Sequence, residues 1–450
     1  MNRRDVFQKE PCLIQLNPFD FFSELLRAHS DQVIHMVLYF DGKLDPDRMR
    51  RAVMDTMVAE PVCNSRLVEA HDTLWWEPLP TACPGDSFTV VEKIGLNSAI
   101  SLALSENIDP YEGPQIKVLL IRASEGGGDV LVINACHVAM DGRGLKDLAG
   151  LIMELYHRSL EDLPSIPGRK PILTCDFPLI STLLPYRDGP SLPEEFSSGG
   201  NRWTFPVRTR EVDLPAYAVM TISGSRLTSI HAKRKEIGVT LNDLILAVVA
   251  KACSNLEPGI DQVEYSFLTT VDLRRYHPVP GRSVLNYSTA FEVRIPVQPN
   301  DTISCLCRDV HEIMETKKND FPGMKDALDA EKLWESGVSV ARETLRTRIA
   351  DPDNYENRIP IVTNTGIIDQ GLANHCTPHV INACMLPCHA PPPAIFVAIS
   401  TYLDTMTISS TYYRAAVADE QVRAFFDWIN QFLPGYTVSD DQDWLQFIPG

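Results

Sequence analysis

The sequence predicts an α/β chain of the α+β sandwich kind, built from two halves of about 200 residues each. Three observations lead there. Strand-like and helix-like hydrophobic patterns alternate along the chain. The stretch from Pro164 to Pro215 holds nine of the 33 prolines, together with Ser197-Ser198-Gly199-Gly200, and keeps neither period. Finally, 450 residues with 44% hydrophobic and 22% charged side chains have the make-up of ordinary globular domains, two or three at about 150 residues each. The expected organisation is residues 1–163 as a first half, 164–215 as a crossover linker and 216–450 as a second half.

The elements follow in order. Val33 to Phe40 is rich in β-formers and ends at Asp41-Gly42, so it reads as a strand running into a turn. From Asp45 to Val58, Met49, Val53 and Met57 fall on one helical face, and Asp45-Pro46 supplies a cap followed by proline in the first turn. Thr73 to Leu79 is strand-like. Ile116 to Arg122 and Val130 to Ala135 flank Glu125-Gly126-Gly127-Gly128-Asp129, the pattern of a hairpin. Past Gly142 the period changes: Leu145, Leu148, Ile152, Leu155 and Tyr156 repeat at helical spacing. In the second half Ala218 to Ser223 is a strand and Leu227 to Glu236 a helix. The helix opened by Thr240-Leu241-Asn242-Asp243 is apolar nearly all round and so is expected to be buried. Strands are expected at Glu264 to Val271, Tyr287 to Ile295, Ile361 to Thr365, Ala394 to Thr401 and Met406 to Tyr412, and a closing helix at Asp419 to Phe432.

With 41 basic and 59 acidic side chains the net charge is −18. Such a surface repels phosphate backbones, so nucleic acid and anionic membranes are not expected partners, and an anionic ligand needs a local basic pocket. No apolar run reaches the ~18 residues of a membrane span. Residues 1–5 carry no hydrophobic signal core, and the eleven cysteines are odd in number and scattered, the pattern of free thiols. A cytoplasmic monomer is the expectation.

Chemistry concentrates at Cys136-His137-Val138-Ala139-Met140-Asp141-Gly142, at the junction of a strand and a helix. A neutral imidazole there can take a proton from a hydroxyl or an amine. Glycine at 142, and again at 144, allows a sharp turn and close approach. Asp141 has two possible tasks: to orient the ring, or to hold the loop by pairing with an arginine. A bare H-x-x-x-D is also what a core histidine followed by a helix cap looks like.

In this order along the chain, His137-Val-Ala-Met-Asp141-Gly142, Gly238-Val-Thr-Leu-Asn242-Asp243, Val271-Asp272-Leu273-Arg274, Leu285-Asn286-Tyr287-Ser288 and Val362-Thr363-Asn364-Thr365-Gly366 resemble the CoA-dependent acyltransferase superfamily. Its members share the chloramphenicol acetyltransferase-like fold. They include condensation domains, polyketide-associated acyltransferases, wax-ester synthases and alcohol acetyltransferases. With Asp20 to Pro61 resembling the family's opening, the likeness spans nearly the whole chain. It implies two chloramphenicol acetyltransferase-like halves forming a pseudo-dimer with a tunnel between them. It implies His137 as the general base, and Asp141 paired with Arg274 away from substrate. The reaction implied is transfer of an acyl group from an acyl-CoA or phosphopantetheine thioester, the latter on an acyl carrier protein, to a hydroxyl or amine of a small-molecule acceptor. No bound cofactor is implied. Asn286 and Ser288 are the matching candidates for substrate binding and for stabilising negative charge on the thioester oxygen.

Condensation domains usually carry a second histidine where this chain has Cys136, which favours simple acyl transfer. A stand-alone condensation enzyme forming an amide, or a non-catalytic member binding a carrier or metabolite, remain the alternatives. Two basic clusters are candidates for donor docking: Arg48, Arg50 and Arg51, and, preferred because it precedes a matching segment, Lys233, Arg234 and Lys235. His375, Cys376, His379, Cys384, Cys388 and His389 are chemically able to bind zinc, but their spacings are loose and Val380, Ile381 and Met385 read as a buried strand. No metal is expected.

Overall fold

The computed structural model describes residues 13–80, 87–92, 95–122, 127–160, 178–183, 203–213, 215–256, 263–277, 282–350, 358–369, 372, 377–436 and 445–449. The turn residues Glu125 and Gly126, most of the proline-rich crossover, and His375 and Cys376 lie outside the described residues.

The chain opens with β1 (Ile14–Gln15) and α1 (Pro18–Leu26). Asn17 caps α1 by accepting the Phe19 and Asp20 N–H groups at 2.8 Å, and Pro18 sits in its first turn. Then come β2 (Val33–Phe40), α2 (Pro46–Ala59), β3 (Ser65–Ala70), β4 (Thr73–Pro78), β5 (Phe88–Val91), α3 (Leu96–Leu104), β6 (Ile116–Ile121), β7 (Val130–Cys136) and α4 (Gly142–Leu160). The crossover contributes α5 (Ile180–Leu183). The second half runs β8 (Pro215–Ser223), α6 (Gly224–Ile237), α7 (Leu241–Leu256), β9 (Val263–Asp272), β10 (Ser288–Val297), α8 (Ile303–Asn319), α9 (Met324–Glu335), α10 (Val338–Ala350), β11 (Ile361–Ile367), β12 (Val380–Leu386), β13 (Phe396–Tyr402), β14 (Thr405–Tyr413), α11 (Asp419–Phe432) and β15 (Leu445–Pro449). Helices α8 to α10 were not anticipated from the sequence, although Leu306, Val310 and Met314 place one buried residue per turn along α8.

A five-stranded sheet, in the order β12-β2-β7-β6-β5, forms the first layer, and a seven-stranded sheet, β10-β9-β11-β13-β14-β8-β15, forms the second. β1, β4 and β3 make a small third sheet. Each large sheet has a helical side. Met36, Leu38, Ile133 and Ala135 face α2 and α4, whereas Ala218, Met220, Ile408 and Phe267 face α6, α7, α8 and α11. Residues of opposite parity, Val37 and Val132 on one side and Tyr217 and Val219 on the other, pack the two sheets together. Leu244 through Ala250 of α7 are buried all round.

β12 belongs to the second half in sequence but adds to the first half's sheet, antiparallel to β2 from Val380↔Phe40 to Leu386↔His35. Hydroxyls of the second sheet hold its end: Ser400 Oγ accepts the Met385 N–H at 3.2 Å, and Ser409 Oγ and Thr411 Oγ1 donate to the Met385 and Cys388 carbonyls at 3.1 and 2.9 Å. The sequence reading of Ile381 as buried is corrected. On this edge strand Val380 and Met385 are enclosed while Ile381 is 57% exposed, because the register with β2 shifts between Val380 and Asn382 and leaves Ile381 as the extra residue of a bulge. Among the described residues no single helix is long and apolar enough to cross a membrane.

Candidate active site

The end of β7 carries His137 out of the sheet, and the loop from Val138 to Asp141 leads into α4. The backbone of His137 is fixed on both sides: its N–H donates to the Gln32 carbonyl at 2.7 Å, and its carbonyl accepts from Asn286 Nδ2 at 2.9 Å. Its Nδ1 is enclosed with no hydrogen-bond partner. The residue as a whole is only half-buried, which leaves Nε2 as the accessible ring nitrogen. Burial holds the ring below the ordinary histidine range, against smaller upward pulls from its own backbone and from Asp141. It is therefore neutral near pH 7, with a lone pair to offer.

Asp141 does not orient that ring. Its carboxylate accepts from Arg274 Nη1 at 2.8 Å and Nη2 at 3.3 Å, from the Gly144 N–H at 2.8 Å and from the Tyr287 N–H at 2.8 Å. Burial pushes this carboxyl up, but the Arg274 charge and these donors more than offset it, and it sits below the ordinary carboxylate range. Arg274, in the turn just after β9, is equally engaged. It also donates to Asp272 Oδ1 at 2.9 Å, Ser283 Oγ at 2.8 Å and the Leu285 carbonyl at 2.9 Å. Of the two tasks open for Asp141, the structure shows the arginine pairing, which binds the His137 loop to the 283–287 loop.

Gly142 and Gly144 differ. A Cβ on Gly144 would lie 2.8 Å from the Leu285 carbonyl oxygen and 3.1 Å from its nitrogen, so only glycine lets the two loops touch. A Cβ on Gly142 would meet Met385 Cε at 3.5 Å and Thr365 Cγ2 at 3.9 Å, ordinary contacts. The expectation that both glycines allow close approach is thus corrected to Gly144 alone.

Asn286 is 1% exposed and faces away from open space. Its amide nitrogen reaches the His137 carbonyl, Ser23 Oγ at 2.9 Å and the Phe19 carbonyl at 3.3 Å, and its own carbonyl accepts from Asn17 Nδ2 at 2.8 Å. Ser288, the first residue of β10, is half-buried with Oγ 3.5 Å from Asn286 Oδ1. Lys233, Arg234 and Lys235 are not brought to this loop. They lie on α6, in the helical layer across the seven-stranded sheet, where Lys233 pairs with Glu236 at 2.6 Å and Arg234 donates to His231 Nδ1 at 3.1 Å. Adjacency in sequence to the Gly238 segment is not adjacency in space to His137.

The described residues of the cysteine- and histidine-rich stretch are dispersed. His379 is exposed beside Asp41, with Nδ1 3.2 Å from Oδ2. Cys384 and Cys388 are buried thiols that burial pushes up to about 12. Among the described residues no three histidine, cysteine or acidic side chains are grouped to hold a metal. Cys136 is likewise a buried thiol pushed up to about 12, packed as core beside His137. Sequence reasoning missed the supports of the site, Asn17, Ser23, Gln32 and Ser283, and named Asp272 only as part of the Val271-Asp272-Leu273-Arg274 segment. Only the Asn17-Pro18-Phe19-Asp20 capping pattern carried a local signal.

The fold that carries this loop recurs in solved structures. The first condensation domain of the CDA synthetase superposes with a TM-score of 0.67 at 13% identity over 95% of this chain and 98% of that one. This chain has the chloramphenicol acetyltransferase-like fold of the condensation superfamily. The trichothecene 15-O-acetyltransferase of Fusarium sporotrichioides gives a TM-score of 0.67 at 13% identity, covering 94% of both chains. Polyketide synthase associated protein 5 of Mycobacterium tuberculosis gives 0.62 at 16% identity, over 94% of this chain and 98% of that one. No family model and no curated protein matches the sequence. The condensation fold thus hosts both acetyltransferases and condensation domains among its solved members.

Proposed function

We propose that this condensation-fold protein is an acyltransferase, moving an acyl group from a CoA or carrier-protein thioester to a hydroxyl or amine of a small acceptor. The supporting observation is the His137 ring: neutral because it is buried, fixed through its backbone by Gln32 and Asn286, and presenting Nε2 outward. In the proposed step Nε2 takes the acceptor proton while the acceptor oxygen or nitrogen attacks the thioester carbonyl. The tetrahedral intermediate then collapses with loss of the C–S bond, and the proton passes from the imidazolium to the departing thiolate. Ser288 Oγ is the proposed donor to the developing oxyanion, since the Asn286 amide is engaged in holding His137 at 2.9 Å whereas the Ser288 hydroxyl gives up only a long 3.5 Å contact to Asn286 Oδ1. Asp141 and Arg274 act from behind, by fixing the loop.

The test is turnover. Purified protein is incubated with a panel of acyl-CoA and acyl-phosphopantetheinyl donors against alcohols and amines, with intact-mass detection of product. Product that depends on His137 supports the reading. No acyl transfer to any acceptor, with donors hydrolysed no faster than in buffer, rejects it.

A further inference from the structure

The seven-stranded sheet splits beside the His137 loop. β9 and β11 are paired only at Leu268↔Ile361 and Thr269↔Val362, while β9 continues with β10 to Asp272↔Ser288 and β11 with β13 to Ile367↔Thr401. The Thr270 and Thr363 hydroxyls touch at the apex. Beyond them the strands part, and Asn364, Thr365 and Gly366 are half-buried on one margin with Ser288 and Thr289 across β9 on the other. Gly142 lies next to the β11 margin, 3.9 Å from Thr365 as measured from where its Cβ would be.

One turn further along α4, Lys146 reaches out of the first half and grips this margin. Its Nζ donates to the Thr365 carbonyl at 2.5 Å and to the Ile367 carbonyl at 3.3 Å. The grip falls on a bulge: the β11–β13 register shifts between Asn364 and Gly366, Gly366 has a φ of 75°, and Asn364 Oδ1 accepts the Gly366 N–H at 3.0 Å. Burial, and then Arg143, hold the ammonium below the ordinary lysine range, partly offset by Asp147, Asp141 and Asp272.

We propose that Lys146 is a positioning residue that draws the bulged end of β11 toward α4 and so keeps the split between β9 and β11 open as the acceptor's way to His137. The ammonium engages two carbonyls of one strand end, and the bulge turns those carbonyls toward it. Past the Thr270–Thr363 contact, no pairing between β9 and β11 among the described residues sets the width of the split. The inference rests on the acyl-transfer reading for its kinetic consequence but not for its structural one.

Lys146→Met, which keeps the apolar stem, is compared with wild type by amide hydrogen exchange and by kinetics with the acyl-CoA and acceptor turned over best. Exchange is expected to quicken at residues 363–368 and not at 380–386. The acceptor KM is expected to rise about tenfold with kcat within about twofold, because Lys146 touches no reacting atom. Lys146→Arg, able to donate to the same carbonyls, is expected to recover most of the KM. Unchanged exchange at 363–368, or a fall in kcat at constant KM, overturns the proposal. Should Lys146→Met fail to fold, Gly366→Ala strains the same bulge through its positive φ, its Cβ meeting no atom within 4 Å, and is held to the same expectations. Wild-type protein inactive with every thioester rejects acyl transfer; the exchange result then decides the role of Lys146 by itself.

Discussion

Asp141 and Arg274, 133 residues apart in sequence, form a bidentate pair in which Nη1 lies 2.8 Å from Oδ2 and Nη2 3.3 Å from Oδ1. Both residues are buried, at 2% and 8% exposure, so protein groups replace water around each charge: the partner first, with the Gly144 and Tyr287 N–H groups on Asp141 and with Asp272, Ser283 and Leu285 on Arg274. The pair joins α4 of the first half to the loop after β9 in the second, directly behind the histidine.

Because breaking such a pair takes the bidentate partner from a buried charge, Asp141→Ala is expected to cost about 3–5 kcal/mol of folding free energy. Urea unfolding measures it, and acyl transfer should fall in parallel. The double variant Asp141→Ala/Arg274→Met should recover part of the loss, since it strands no buried charge: the side chain of Asp272, which also loses Arg274, is 41% exposed and solvated. A cost for the single variant below about 1 kcal/mol would mean that the loop is held by other contacts.

The two glycines of the motif make a sharper comparison. Gly144→Ala places a Cβ 2.8 Å from a backbone oxygen and 3.0 Å from Met140 Cβ, and is expected to destabilise by about 1–3 kcal/mol through forced backbone movement. Gly142→Ala meets only ordinary contacts and is expected to melt near wild type. Equal melting temperatures for the two variants would contradict this assignment.

How much of this was legible in the sequence depends on how local each signal is. The Ile116–Val130 hairpin, the α4 face and the all-round burial of α7 follow from period and turn chemistry, and the structure has them close to the expected bounds. The strand β12 was legible as a strand, but its membership of the first half's sheet depends on pairing with β2 some 340 positions away in sequence, which no local pattern encodes. At the site, His137, Asp141 and Arg274 carry motif-like surroundings. Gln32 acts through its own backbone carbonyl, Ser283 through its hydroxyl on the Arg274 side chain, and Lys146 on carbonyls of the distant strand β11, and their residue types at those positions look like any surface polar residue. The donor-docking expectation for Lys233 to Lys235 rested on adjacency in sequence, and the sheet that lies between α6 and His137 is a tertiary fact.

A lowered histidine also fixes the sign of the pH response. If Nε2 of His137 is the base, kcat/KM is full when the ring is neutral and falls as pH drops through a value below the ordinary 6.5. His137→Ala should lower transfer by about 10²- to 10⁴-fold and leave the melting temperature near wild type at pH 7.5. An acid limb centred above 6.5, or activity surviving in a folded His137→Ala variant, would remove this residue from the base role.

The last expectation concerns His35, which lies where the two sheets meet. Its Nδ1 is 2.8 Å from Asn134 Oδ1 and its Nε2 is 3.1 Å from the Tyr217 hydroxyl. Asn134 Nδ2 already donates to the Ala103 carbonyl, so its Oδ1 faces the ring as acceptor, Nδ1 carries the proton, and Nε2 accepts from Tyr217. Burial lowers this histidine from 6.5 to about 4, against upward pulls from Asn134 and Asp31. The unfolded chain therefore binds a proton at this residue between pH 6.5 and 4 that the folded chain refuses. Stability from this site is complete above 6.5 and is lost as pH falls toward 4. His137 acts in the same direction, so the comparison is made in a His137→Ala background. There, His35→Gln is expected to melt lower than its parent at pH 7.5 but to lose less on going to pH 4.5, because glutamine has no proton to take up. Parallel melting curves across that range would show that the acid response comes from other groups, and that the His35–Tyr217 contact tolerates a charged ring.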